Sequence, residues 1–174
     1  MKPKTKKILT WTISLFVGLP ILAVCFLFVF IYMIGGSKEH PTDEMLIAQL
    51  SDNKSGYEQL ITMFKTDQPI SIVAPTWQSP EGQLNEKRWS EYKGIFEELN
   101  IDMGMRKWGG KAIWFLNSTR GMAIGGDTKG LMYKPINPTP IYSSLNERPK
   151  DLESGVMAYK KINDSWYITF DWND

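Results

Sequence analysis

Hydrolysis by a Ser-His-Asp or Cys-His set needs an imidazole beside the nucleophile, because a hydroxyl or thiol attacks poorly until its proton is taken. This sequence contains one histidine, His40, and one cysteine, Cys25. His40 follows a long apolar run and precedes the first helical pattern, so an ordinary juxtamembrane polar residue is expected there. A single cysteine and a single histidine exclude an intramolecular disulfide framework, a Cys-based zinc site and a multi-histidine metal site. Glycosidic chemistry by carboxylates alone needs two acids flanking one bond. Glu97 and Glu98 are adjacent on a predicted helix and so diverge. Asp171 is expected on the strand face opposite Trp166, Ile168 and Phe170, as a solvated residue or a partner for Lys or Arg. No two carboxylates stand out as a pair, so an envelope hydrolase using carboxylates is kept only as an alternative.

Gly125-Gly126-Asp127-Thr128-Lys129-Gly130 has the glycines of an anion-binding loop. It lacks the G-x-x-x-x-G-K-[ST] order and leads into a strand pattern, so a β-turn is expected. Met103 and Met105 have the spacing of soft thioether ligands, to which the fold would have to add Met122 and Met132. Gap-filling core is the expected role, and a metal or small-ligand carrier is the second alternative. No metal or other cofactor is expected. Asn53, Asn117 and Asn163 each open an N-x-[ST] triplet, which would matter in a eukaryotic host. Among the tryptophans, Trp114, Trp166 and Trp172 fit core positions. Trp77 and Trp108 do not, and Trp108 stands beside Arg106 and Lys107. Exposed indoles next to arginine are common anchors of protein interfaces. The expected binding residues are therefore Trp108, Arg106, Lys107 and Trp77, with no catalytic and no metal residues.

The chain of 174 residues is long enough for one domain of ordinary size. Its hydrophobic fraction of 43% excludes wholesale disorder, and its net charge of +1 gives no field to gather nucleic acid. Apolar content is concentrated at the start. No charged residue occurs from Ile8 to Ser37, and the densest part, Ile8 to Ile34, is 27 residues long. As a helix that part measures about 40 Å, enough to cross a hydrocarbon core of about 30 Å with tilt, or with a kink at Pro20. A cleaved signal peptide has an apolar region of only about 7–15 residues, so retention in the membrane is expected. Lys2, Lys4, Lys6 and Lys7 precede the span, whereas Glu39, Asp43 and Glu44 follow it. The positive-inside bias then puts the N-terminus in the cytoplasm and the rest outside. The expected organisation is a cytoplasmic N-terminus at 1–7, a transmembrane helix at 8–36 and an extracytoplasmic, periplasmic domain at 37–174.

Within that domain, Thr42-Asp43-Glu44 has the order of a helix start. Met45, Leu46, Gln49 and Leu50 continue with helical spacing to a break at residues 51–53. Tyr57, Leu60, Ile61 and Phe64 mark a second helix, and Trp89, Tyr92, Phe96 and Leu99 a third over roughly 85–99. Ile70 to Val73 reads as a strand, followed by a loop at 76–83. Beyond residue 111 the period changes to two. Ala112 to Leu116 is a central strand, and Gly121 to Ile124 and Gly130 to Tyr133 are two more around a turn at Gly125-Gly126-Asp127. Val156 to Ile162 and Ser165 to Trp172 form a hairpin around Asn163-Asp164, with Trp166, Ile168, Phe170 and Trp172 facing the core. The expected fold class is α+β, two or three helices packed on one face of an antiparallel sheet.

The opening Thr42-Asp43-Glu44 … Tyr57-Glu58-Gln59-Leu60 … Met63-Phe64 and the ending Gly130-Leu131-Met132-Tyr133 … Tyr159 … Trp166-Tyr167 … Asp171-Trp172 resemble small, uncharacterised membrane-anchored envelope proteins of gamma-proteobacteria. The resemblance covers most of residues 42–174 and implies a bacterial envelope location. It carries no catalytic residues. Together these readings describe a single-pass inner-membrane protein, inserted in the lipid bilayer through residues 8–34. It would display a non-catalytic periplasmic domain to another envelope protein, as an assembly factor or as an immunity-type protein.

Overall fold

The computed structural model describes residues 39–122 and 125–173, together with Phe26. Apart from Phe26, the span at 8–34 lies outside the described residues, as does its direction. No helix among the described residues is long and apolar enough to cross a membrane. The contacts of Lys38–Asp174 form one compact unit.

Three helices are described: α1 (Asp43–Asp52), α2 (Lys54–Thr66) and α3 (Glu86–Glu98). Thr42 caps α1 by accepting from the Met45 amide, and Asn85 caps α3 by accepting from the Arg88 amide, each satisfying a donor the helix cannot. Asn53 separates α1 from α2, and its side-chain amide donates to the Gln49 carbonyl at 3.0 Å. Asp67, just past α2, accepts from Arg88 Nε and from the Tyr92 hydroxyl, both at 2.8 Å, which ties the end of α2 to α3.

Seven strands follow the order β2-β1-β3-β4-β5-β7-β6, every named pair antiparallel. They are β1 (Ile72–Val73), β2 (Gln78–Ser79), β3 (Met105–Trp108), β4 (Ala112–Met122), β5 (Gly125–Tyr133), β6 (Ala158–Lys161) and β7 (Trp166–Asn173). The α+β expectation is thus met. Register sets the two faces of the sheet. Met105, Phe115, Leu131 and Ile168 share one face, and Arg106, Trp114, Met132 and Tyr167 share the other. The helices contribute to the first face only. Leu46, Tyr57, Phe64, Tyr92 and Phe96 join Phe115, Leu131, Trp166, Ile168 and Phe170 in one buried cluster. The opposite face carries a smaller cluster of Ala112, Trp114, Met132, Met157 and Tyr159.

Two local expectations are corrected. The loop expected at 76–83 contains β2. Gln78 is buried there because its side chain serves Leu84, accepting from the Leu84 amide at 2.7 Å. Gly125-Gly126-Asp127 is not a turn but the start of β5, where these residues pair with Met122, Gly121 and Arg120 of β4. A Cβ at Gly126 would strike the Arg120 carbonyl oxygen, so glycine there answers a close strand approach. The same holds for Gly130, where a Cβ would strike the Phe115 carbonyl oxygen beside the register shift between Leu116 and Ser118.

Candidate functional site

The four expected binding residues are not one constellation. Arg106 and Trp108, two apart on β3, lie on the sheet face away from the helices. The Arg106 guanidinium sits 4.8 Å from the Trp108 ring centre and 5.5 Å from that of Trp114. The two indoles meet edge-on, with centroids 5.2 Å apart. Trp114 is buried and Trp108 half-buried, so the outer ring is braced from below and from one side. A planar cation stacked on an indole adds an electrostatic attraction to the packing, and it holds both groups in one geometry. Leu116 and Tyr167 complete the partly buried border of this cluster.

Lys107 points to the opposite face, where its ammonium lies 5.6 Å from the Phe64 ring centre and donates to Gln68 at 2.7 Å. Trp77 is 50% exposed in the turn between β1 and β2. It borders a separate cleft of about 410 Å³ with Trp89, Gln78 and Glu81. The structure therefore brings together Arg106 and Trp108 and leaves Lys107 and Trp77 elsewhere.

No family model, curated protein or solved structure matches this chain. The geometry of its own residues therefore carries the functional reading.

His40 is not the ordinary juxtamembrane residue the sequence suggests. Its side chain is only 5% exposed. Nδ1 lies 2.6 Å from Ser118 Oγ and Nε2 lies 2.8 Å from Asp127 Oδ1. A carboxylate only accepts, so Nε2 carries the proton and Nδ1 accepts from the Ser118 hydroxyl. The ring also meets Phe170 edge-on at 5.6 Å. Burial lowers the histidine pKa below 6.5, opposed by Asp127 and reinforced by Arg120 and Lys129. A serine, a histidine and an aspartate are thus in contact, with Ser118 and the His40 ring largely buried. Ser118 is 9% exposed, and it lines neither the Trp77 cleft nor a larger one beside Tyr133. Asp127 is also committed to Arg120, whose Nε and Nη2 donate to its two oxygens at 3.0 and 2.7 Å. What the arrangement does is fasten the start of the described domain to β4 and β5.

Asp43 was legible as a helix-start acid, and it is more than that. It is fully buried against Lys129 of β5, itself fully buried, at 2.9 Å. Lys160 of β6 approaches its other oxygen at 2.9 Å, and the Leu145 amide donates to that oxygen at 2.8 Å. Burial pushes the Asp43 carboxyl up, but Lys129, the Leu145 amide and Lys160 together hold it below the ordinary value. The lysine pKa is lowered by burial, with Asp43 opposing. The sequence did contain a signal for this pair. Lys129 stands two positions before Leu131, in core phase on its strand, and a lysine in core phase needs a buried carboxylate.

Met103, Met105 and Met132 do not converge, the Met122 side chain lies outside the described residues, and the exposed carboxylates form no pair. Met105 is buried on the helix side of the sheet and Met132 on the opposite side, while Met103 is 44% exposed. No group of three or more His, Cys, Asp or Glu able to hold a metal ion occurs among the described residues. Glu97 and Glu98 are exposed. Burial raises the Asp171 pKa, while the Asn173 amide and the charge of Arg106 lower it. Asn117, the first residue of one N-x-[ST] triplet, is 4% exposed and so is not presented for modification.

Proposed function

We propose that this chain is a single-pass inner-membrane protein that displays a non-catalytic, protein-binding domain in the periplasm. Residues 8–34 would cross the bilayer, and another envelope protein would dock on the outer face of β3 and β4. The observation that carries the reading is the Arg106–Trp108–Trp114 stack. Its outer indole is half-buried, in a fixed orientation, under a planar cation. Anchors of this kind lose little conformational entropy on binding, because they are already ordered in the free protein. The cytoplasmic lysines, the uncharged span and the resemblance to envelope proteins support the location.

The test is capture of the envelope partner by the full-length chain from cross-linked membranes, compared among variants. Trp108→Ala should weaken capture by about 2 kcal/mol or more in affinity. Arg106→Gln, which keeps both rings, should weaken it less. Trp77→Ala should leave it unchanged. Equal capture by wild type and Trp108→Ala would remove the basis of this docking face.

A further inference from the structure

On the helix side of the sheet a cleft of about 520 Å³ opens between the end of α2, the β3–β4 turn and the end of β5. Four lysines line it, Lys65, Lys107, Lys111 and Lys134, and no carboxylate does. None of the four has a carboxylate oxygen within 4.0 Å among the described residues. This is unusual for its surroundings. From residue 37 onward the sequence has 16 basic groups against 19 acidic ones, so bulk composition does not supply a lysine cluster. The negative C-terminal end of α2 accounts for one of them, Lys65. The other three come from two different segments and converge on the same space.

Three of the four ammonium groups are also held in place. Those of Lys65 and Lys134 lie 5.4 and 5.3 Å from the Tyr133 ring centre. That of Lys107 lies over Phe64 and bonds Gln68. Cation–π contacts of this kind position charge without neutralising it. Four positive charges around one cavity repel one another, and an anion between them turns that repulsion into attraction.

We propose that this cleft binds a small organic diphosphate. Lysine is a point-charge donor suited to phosphate, and lysines are the only charged residues of the lining. One phosphate ester brings about −1.5 to −2 charge at neutral pH, which matches only half of the lysines. A second, linked phosphate adds a further ionised oxygen and brings the ligand's charge closer to that of the set. The volume suits a ligand that also has an organic part, and Phe64 and Ile113 give that part an apolar wall. The cleft and the Arg106–Trp108 face are on opposite sides of the sheet, so this site stands whether or not a protein docks there. The diphosphate could belong to a soluble nucleotide-like molecule or to a lipid headgroup.

The experiment uses the full-length chain in uncharged detergent micelles. It is titrated with inorganic pyrophosphate and with adenosine diphosphate, and then with pyrophosphate in micelles doped with an isoprenyl diphosphate. The expected result is saturable one-site binding that weakens with added salt. Lys107→Gln combined with Lys134→Gln should weaken it about a hundredfold, roughly tenfold for each ammonium removed. The unliganded melting temperature of that variant should not fall, since a repulsion has been relieved. A control at Lys54 and Lys150 should bind like wild type. Suppression of pyrophosphate binding by the doped micelles in wild type assigns the site to a lipid headgroup. Tighter binding of adenosine diphosphate, with no effect of doping, assigns it to a soluble ligand. No saturation below about 1 mM of either soluble probe, or equal affinity in wild type and the double variant, overturns the proposal.

Discussion

Replacing Asp43 by asparagine keeps the size of the side chain and removes its charge. Four contacts converge on that carboxylate: Lys129 and Lys160 at 2.9 Å, the Leu145 amide at 2.8 Å and the Ser144 hydroxyl at 3.2 Å. The two lysines differ in their access to water. The Lys160 side chain is 18% exposed and can turn outward, whereas that of Lys129 is 1% exposed and cannot. Asp43→Asn therefore strands one buried ammonium. Breaking a buried pair from one side costs about 3–5 kcal/mol, and the asparagine oxygen still serves Leu145, so little is added. Lys129→Met is the informative contrast. It leaves Asp43 with Lys160, Leu145 and Ser144, removes the burial penalty of the ammonium, and should cost less than about 2 kcal/mol. Urea unfolding of the full-length chain in detergent, followed by tryptophan fluorescence, measures both. In thermal melts, Asp43→Asn should lower the midpoint by roughly 10 °C or more. If Asp43→Asn were the milder of the two, or lay within about 1 kcal/mol of wild type, the buried-pair argument would be wrong.

Two further outcomes follow from the same packing. His40 has a folded pKa below 6.5, so the folded state binds fewer protons than the unfolded one. Its stability contribution is full above 6.5 and falls as pH drops through that value. Asp127 and Asp43, held below 3.8, lose theirs only at lower pH. Stability should therefore decline as pH falls below about 6.5, by at most about 1.4 kcal/mol per unit. His40→Gln should flatten that decline, and an unchanged slope would place the titrating group elsewhere. Phe170 is 1% exposed against the His40 ring, and Phe170→Ala should destabilise by about 3–5 kcal/mol. A cost under about 1 kcal/mol would mean that the register of β7 is misassigned.

The elements that were legible in the sequence are those whose burial repeats locally. Tyr57, Leu60, Ile61 and Phe64 marked α2 by spacing alone, and Trp166, Ile168 and Phe170 marked the buried face of β7. The strand alternation that found β7 also implies that Arg106 and Lys107, adjacent on β3, face opposite ways. Read as neighbours in sequence, they were grouped into one site that the sheet divides. The burial of His40 and of Asp43 was not legible for a different reason. The partners of His40 are 78 and 87 residues away, and Lys160 is 117 residues from Asp43. Each looks solvated until the strands that bury it are paired. The lysine cleft was equally invisible, because its four residues come from three segments and form no motif. Strand β2, of two residues, is too short to show a period.

A domain held outside a membrane by residues 8–34 is the central claim. Reporter fusions after Asp174 in bacterial cells test this most directly. Alkaline phosphatase, which folds only in an oxidising space, should be active and should stay with the membrane fraction. A cytoplasmic reporter such as β-galactosidase at the same position should be inactive. An active cytoplasmic reporter with an inactive phosphatase would reverse the orientation. Phosphatase activity released into the soluble fraction would contradict the tether.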